Sequence, residues 1–246
     1  LRIAEHLKDQ TIRLEMSLLW LDIAPDNPKA HRVALDTFMD SGNVLEALNH
    51  GSWLYQHRDD LDAFIFVSTA PLESPQLFAL IMDRLTTLSL SDDKMATIKF
   101  IQALFYQKHS QTIKAETKVR EFLVHKRQDQ RGLLLLAQLL HQQEKKNEAI
   151  DVLEEALQDD PSAHKLRLQY ARFLAAESVE EAIVQFNLLQ VSDPQDQEVN
   201  FLLGLLRLSQ NKLDLAIPLF QQASSTPSLR ANAQYHLGTI AERQKR

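Results

Sequence analysis

Residues 130–161 read QRGLLLLAQLLHQQEKKNEAIDVLEEALQDDP, and this stretch decides the fold. Leucines surround the small residue Ala137, and a second apolar series follows Ala149. A short polar run separates the two series, and Pro161 closes the stretch. The pattern predicts a helix, a turn and a second helix, which touch each other at Ala137 and Ala149.

The same pattern recurs along the chain, because Ala115 and Ala149 are 34 residues apart and further steps of this length find equivalent positions. One residue is missing before Ala182. The register positions in predicted second helices are Arg13, Ala47, Ile81, Ala115, Ala149, Ala182 and Ala216. Those in predicted first helices are Leu35, Thr69, Ala103, Ala137, Ala171, Gly204 and Gly238. A fixed period of this length is typical of stacked helical repeats, so we expect an all-α solenoid of about seven helix pairs.

The repeats resemble the tetratricopeptide repeat, whose pattern is Trp-x2-Leu-Gly-x2-Tyr, then Ala-x3-Phe, then Pro. The best matches are Leu203-Gly204, Ala216 with Phe220, Ala182 with Phe186 and Pro194, and Leu237-Gly238. The resemblance implies a right-handed superhelix in which the first helices line a concave groove. It implies a protein-binding surface rather than a catalytic one.

The period predicts a single array over residues 1–246. Its units are a partial repeat at 1–25, repeats at 28–59, 60–92, 93–128, 129–161, 162–195 and 196–228, and a partial repeat at 229–246. The partial units at both ends lead us to expect a piece of a longer array. Gly42 is expected in a turn with positive φ, and the turn around Ser178 is one residue shorter than the others.

Residues 60–92 keep the period but depart from the pattern. Pro71 falls inside the expected first helix, which should therefore end near Thr69. Ser74 followed by Pro75 predicts an N-cap and the first residue of the next helix. Two interpretations are open, a degenerate repeat and a hinge, and a hinge requires evidence of motion.

Composition excludes several classes of function. The formal net charge is −6 and the pI is about 5.9, whereas a nucleic-acid partner needs a clustered basic face. No apolar run approaches the ~18 residues expected of a membrane span. The sequence has no cysteine, which excludes disulfides and thiolate chemistry.

The sequence shows no catalytic motif. It lacks a glycine-rich phosphate loop, a Gly-x-Ser-x-Gly elbow and a His-Glu-x-x-His pair. His50 and His57 could share a helix face, but two imidazoles without a third ligand are weak evidence for a metal site. We therefore expect solvated histidines, no cofactor, no metal and no enzymatic activity.

Two register positions on each first helix are expected to line the groove, one three residues before the small residue and one directly after it. Apolar and aromatic side chains recur there, and polar ones could fix a partner's register. The predicted partner-binding residues are Phe66, Phe100, Gln107, Leu134, Gln138, His141, Leu168, Arg172, Phe201, Leu205 and Tyr235. An interpretation of equal weight is that the aromatic members only pack between repeats.

Two segments carry a closer resemblance, WLDIAPDNP at residues 20–28 and YHLGTIAERQ at residues 235–244. They resemble proteobacterial outer-membrane lipoproteins with tetratricopeptide repeats, which bring cell-wall hydrolases to a periplasmic carboxyl-terminal processing protease. The resemblance implies an adaptor facing the periplasm, anchored through a lipid on the parent chain. The protease and its substrates would then be the partners held in the groove.

Three other functions remain open on the sequence. The first is a cytoplasmic module of an envelope-biogenesis or assembly complex, and the second is the regulatory half of a larger enzyme. The third is a structural array that self-associates, with a copy of itself in the groove.

Overall fold

A computed structural model describes residues 10–72 and 74–244, so the first nine residues of the predicted partial repeat at 1–25 lie outside the described part. The described residues form fourteen α-helices and no strand, which confirms the all-α class. The helices are α1 (Gln10–Ile23), α2 (Pro28–Asp40), α3 (Val44–Arg58), α4 (Leu61–Val67), α5 (Pro75–Thr87), α6 (Asp92–Lys108), α7 (Thr112–His125), α8 (Gln130–Gln142), α9 (Lys146–Asp159), α10 (His164–Glu177), α11 (Val179–Ser192), α12 (Gln197–Ser209), α13 (Leu213–Ala223) and α14 (Pro227–Gln244).

The helices belong to two compact units, which meet in the sequence between Arg127 and Gln128. Unit 1 contains α1–α7 and unit 2 contains α8–α14. In the regular repeats, the two helices are joined by a short turn and pack against each other. The repeat at 60–92 is the exception, because residues 68–74 separate α4 from α5 and these two helices do not pack closely on each other. For example, α2 and α3 lie within the predicted repeat 28–59, and the division into repeats stays a prediction. That both units form one continuous array stays a prediction.

The helices of a pair meet at the small residues of the predicted register. The small second-helix positions Ala47, Ala115, Ala149, Ala182 and Ala216 are all fully buried, and so is the larger Ile81 at the same register position of α5. The first-helix positions Ala103, Ala137 and Ala171 are also fully buried. At Gly204, a Cβ atom would lie 3.0 Å from the ring of Phe220, so glycine allows this ring to pack directly on α12. The register derived from the sequence is therefore confirmed at these positions.

The turn between the helices of a repeat recurs with the same period. Its left-handed residues, with φ of 74°, 57°, 60° and 57°, are Gly42, Ser110, Glu144 and Asn211. A left-handed residue ends one helix and redirects the chain. In repeat 162–195, Ser178 alone joins α10 to α11, and its hydroxyl accepts a hydrogen bond from the backbone N–H of Glu181. The other four turns have three residues, so this one is two residues shorter and has no left-handed residue, whereas the sequence predicts a shortening by one. The prediction of a positive φ at Gly42 is confirmed.

The irregular repeat at 60–92 has a first helix of only seven residues, α4, which ends at Val67. Thr69 lies in the following turn, ahead of Pro71, as the sequence predicts. The ammonium group of Lys108 on α6 donates a hydrogen bond of 2.6 Å to the carbonyl oxygen of Thr69. This contact satisfies a backbone acceptor that the shortened helix leaves without an intrahelical partner.

The second helix of this repeat begins as predicted. The hydroxyl of Ser74 accepts a hydrogen bond of 3.1 Å from the backbone N–H of Leu77, and Pro75 occupies the first turn of α5. Residues close in sequence therefore determine where α4 ends and where α5 begins.

The Gly51→Ala substitution tests how closely α3 approaches α4. A Cβ atom there would lie 2.8 Å from a methyl carbon of Val67 and 3.2 Å from the carbonyl oxygen of Ala63. Gly51→Ala should therefore lower the free energy of unfolding by ~1–3 kcal/mol through overpacking. The matched control is Gly238→Ala, where nothing lies within 4 Å of the added carbon and helix propensity should add ~0.5–1 kcal/mol. Urea unfolding of both variants checks this, and equal effects would contradict it.

The backbone amides of residues 61–74 should exchange with solvent faster than those of residues 130–161. A helix of seven residues makes fewer internal hydrogen bonds and packing contacts, so it should open locally at a lower free-energy cost. Hydrogen exchange followed by mass spectrometry measures both segments in one sample. Slower exchange at 61–74 would show that the irregular repeat is as firmly held as the regular one.

Candidate partner-binding face

The predicted binding residues of unit 2 lie on its four first helices, α8, α10, α12 and α14. We call this set the first-helix face: Leu134, Gln138, His141, Leu168, Arg172, Phe201, Leu205 and Tyr235. Gln138, Arg172 and Tyr235 are exposed, and the other members are half-buried. Because members occupy equivalent positions on successive repeats, they share one side of the unit.

Side-chain contacts connect neighbouring first helices along this face. The ring of His141 on α8 stacks on Phe173 of α10, with 4.3 Å between ring centroids. The guanidinium of Arg172 on α10 pairs with the carboxylate of Glu198 on α12. Both partners of this ion pair are exposed, and such pairs contribute little to stability. Arg172 can therefore exchange Glu198 for a partner's carboxylate at low cost.

The two aromatic residues of the face on α12 and α14 differ in burial, since Phe201 is packed against the core and Tyr235 is exposed. Phe201 and Leu205 pack against a buried cluster of α13 and α14, which is formed by Ala216, Phe220, Ala223, Ala233 and Ile240. The ring centroids of Phe201 and Phe220 are 5.8 Å apart. Phe201 also lies 6.0 Å from His236 of α14. Tyr235 is 71 % exposed and meets only the edge of His236 among aromatic rings. Tyr235 is thus the aromatic member that packing leaves available.

The predicted residues of unit 1 have different environments. Phe66 on α4 is 39 % exposed. Phe100 on α6 is 4 % exposed and packs on Phe122 of α7 at 5.1 Å between centroids, so it serves packing within its helix pair. Gln107 is half-buried near the end of α6. A partner-binding role for this whole set of residues stays a prediction.

The sequence reasoning missed a cluster of histidines around Trp53 in unit 1. Nδ1 of His31 on α2 lies 2.9 Å from Nδ1 of His50 on α3, and Nε2 of His31 lies 2.7 Å from the carbonyl oxygen of Pro25. The indole of Trp53 stacks on His31 at 3.6 Å and on His57 at 4.4 Å. The expectation of solvated histidines is wrong for His50, which is half-buried and bonded to a buried neighbour. The available signal was aromatic residues at helical spacing on α3.

The hydrogen bonds fix the protonation of the His31–His50 pair. A carbonyl oxygen only accepts, so Nε2 of His31 must carry the proton shared with Pro25. In neutral His31, Nδ1 is then the acceptor, and Nδ1 of His50 donates to it. Two protonated rings would place two N–H donors against each other at 2.9 Å, so the folded pair excludes full protonation.

Burial is the largest influence on both rings of the pair. Burial, followed by the imidazole of His31, lowers the pKa of His50 to about 4, although Glu46 raises it. Burial also lowers the pKa of His31, with opposing contributions from the carbonyl bond and Asp26 and a further lowering by His57. The pair is therefore neutral near pH 7 in the folded state.

Acid should destabilise unit 1 because the unfolded chain binds a proton at His50 more readily than the folded chain. The contribution of neutral His50 to the free energy of unfolding should be fully present above pH 6.5, the ordinary pKa of histidine. It should decrease as the pH drops towards about 4. His50→Phe should remove most of this slope, while His125→Asn, at an exposed residue that ends α7, should keep it. Urea unfolding followed by Trp53 fluorescence, in a Trp20→Phe background, measures the slope. An unchanged slope in His50→Phe would contradict the assignment.

Within 10–72 and 74–244, no group of three or more histidine, aspartate and glutamate side chains is placed to hold a metal ion. Among the helices that the structure describes, none has the length and apolar content of a membrane span. What remains as a candidate site is the first-helix face.

Two family models described as tetratricopeptide repeat match this chain, one at residues 131–173 and the other at residues 169–229 and 201–246. These residues contain α8–α14, which form unit 2. The helix pairs that carry the first-helix face are therefore similar to tetratricopeptide repeats.

Relatives extend the likeness to more of the chain. TPR repeat-containing protein PA4667 of Pseudomonas aeruginosa is 26 % identical over 170 residues, a match that covers 69 % of this chain and 29 % of the relative. A tetratricopeptide repeat protein from Parabacteroides merdae superposes with a TM-score of 0.56 at 15 % identity, covering 98 % of this chain and 95 % of that one. YrrB superposes with a TM-score of 0.51 at 13 % identity, covering 90 % and 97 %. The two solved structures show the repeat fold.

Proposed function

We propose that this tetratricopeptide-repeat protein is an adaptor that binds other proteins and has no catalytic activity of its own. The observation that carries the proposal is the first-helix face of unit 2. Gln138, Arg172 and Tyr235 are exposed on three of the four first helices of unit 2, α8, α10 and α14. Repeats of this kind stack into extended surfaces, and such surfaces suit a partner that contacts several repeats at once.

The face has the chemistry to hold a protein segment, extended or helical. The amide of Gln138 can donate to and accept from a peptide bond, and Arg172 can bind a carboxylate through two hydrogen bonds. Tyr235 offers an apolar ring with a polar tip, a combination enriched in interfaces. YrrB, which has a similar fold, is described as a TPR protein with an unusual peptide-binding site. That description supports a peptide segment as the bound element.

For the partners, we propose a periplasmic carboxyl-terminal processing protease and its substrates, such as cell-wall hydrolases. The parent protein would be a lipoprotein anchored in the outer membrane and facing the periplasm. The support is the resemblance of residues 20–28 and 235–244 to adaptors of that kind. The chain covers 29 % of its relative from Pseudomonas aeruginosa, so these partners are proposed for the whole protein.

Photo-crosslinking in living cells tests the adaptor function. A photoreactive amino acid at Gln138 or Arg172 should capture partner proteins, while the same group at exposed Ser225, in the turn after α13, should capture far less. Mass spectrometry then identifies the captured proteins. A processing protease or a cell-wall hydrolase supports the periplasmic proposal, whereas capture of only cytoplasmic assembly proteins overturns it. Equal capture at Ser225 would overturn the role of the face.

Two aromatic substitutions should separate binding from packing, with the captured partner in purified form. Tyr235→Ala should keep the melting temperature and weaken binding at least ~30-fold, if Tyr235 is an anchor that costs ~2 kcal/mol on truncation. Phe100→Ala should lower stability by ~3–5 kcal/mol and leave the affinity of the folded protein unchanged. Calorimetry and fluorescence anisotropy provide the two readouts. Normal binding by Tyr235→Ala would place the partner elsewhere.

A further inference from the structure

A second surface of unit 2 lies on the second helix α11. Val184, Leu188 and Val191 are 54 %, 48 % and 81 % exposed, and their spacing places them on one side of the helix. We call these three residues the α11 stripe. The opposite side of α11 is buried through Ala182, Ile183, Phe186 and Leu189. The helix is thus apolar on both sides, although only one side packs.

Packing of the repeat does not require apolar residues at the stripe. On α9, the second helix of the preceding repeat, the equivalent positions lie 33 residues earlier and are Asp151, Glu155 and Gln158. All three are exposed on the same outward side of their helix. The fold therefore accepts charged residues at these positions. Valine and leucine on α11 expose apolar surface to water there, and the packing of the repeat gains nothing in return. Such exposure points to a covered surface.

Carboxylates flank the stripe on one side. Glu154 and Glu155 join Asp151 on the exposed part of α9, and both α9 and α11 pack on α10. The α11 helix itself begins with Glu180 and Glu181, one turn before Val184. Burial, and then the carboxylates of Glu154, Glu181 and Asp151, raise the pKa of Tyr170 on α10. Carboxylates of α9 and α11 thus act on one phenol of α10, the helix on which both of them pack. We call the exposed carboxylates Asp151, Glu154 and Glu155 the acidic row of α9.

We propose that the α11 stripe and the acidic row of α9 bind an amphipathic helix of another protein. Its apolar side chains would follow an i, i+4, i+7 pattern to match the stripe, and lysine or arginine would line one flank to meet α9. The stripe runs over eight residues, and its ends are ~10 Å apart at ~1.5 Å per residue, a length that two turns of a partner helix cover. An anionic membrane surface would be repelled by the same carboxylates, so charge favours a basic protein segment.

This surface is distinct from the first-helix face, because its residues lie on second helices. A chain with both would hold two partners at once, which goes beyond binding along the first-helix face alone. The two surfaces share no residue, so a failure of one leaves the test of the other intact.

The test uses a fluorescent synthetic helix of about 18 residues, long enough to form in part by itself, with leucines at i, i+4 and i+7 and lysines along one flank. Fluorescence anisotropy should show binding that weakens as salt rises. Leu188→Gln should lower the affinity at least ~10-fold, which corresponds to ~1.4 kcal/mol. The matched control is Val124→Gln on α7, a second-helix residue that is 68 % exposed, and it should bind like the wild type.

Reversing one charge on α9 tests whether its carboxylates contact the basic flank of the bound helix. Glu155→Lys should weaken the lysine helix and strengthen a helix with glutamate in place of lysine. Equal binding of both helices to the wild type, or unchanged binding by Leu188→Gln, would overturn the proposal. Sedimentation of the protein alone measures self-association, and flotation with anionic vesicles measures membrane binding. Self-association or vesicle binding lost in Leu188→Gln would identify a second copy or a membrane instead and would also overturn it.

Discussion

The close approach of paired helices at small side chains is the constraint on which the rest of the structure depends. Ala137 and Ala149 are both fully buried, and a ring of Phe220 fits on α12 only because residue 204 has no side chain. Interiors packed this tightly tolerate little change in volume. The contact uses one side of each helix and leaves the other side free to vary from repeat to repeat.

That freedom separates packing from recognition within a repeat. Equivalent outward positions hold aspartate on α9 and valine on α11, and both helices keep the same buried alanine. On the first helices, Phe100 points into its helix pair, whereas Tyr235 is mostly exposed. A column of residues at one register position therefore contains both core and surface members. The exposed members are the ones that a partner can use without a cost in stability.

Features set by local sequence were predictable, and those set by contacts between distant helices were not. The turn at Gly42, the cap at Ser74 and the buried register around Ala149 follow from residues close to each other in the chain. The bond between His31 and His50 depends on which sides of α2 and α3 face each other, and spacing alone leaves several choices. The burial of Phe100 is unpredictable for the same reason, because Tyr235 occupies the same register position and is mostly exposed.

The separation of packing from recognition is tested most directly by the stability of a triple variant, Gln138→Ala, Arg172→Ala and Tyr235→Ala. All three residues are exposed, and exposed substitutions usually change stability by no more than ~0.5 kcal/mol each. Urea unfolding should therefore give a free energy within ~1.5 kcal/mol of the wild type. A loss of ~4 kcal/mol or more, the size of a core truncation, would show that these residues hold the repeats together and would contradict the account.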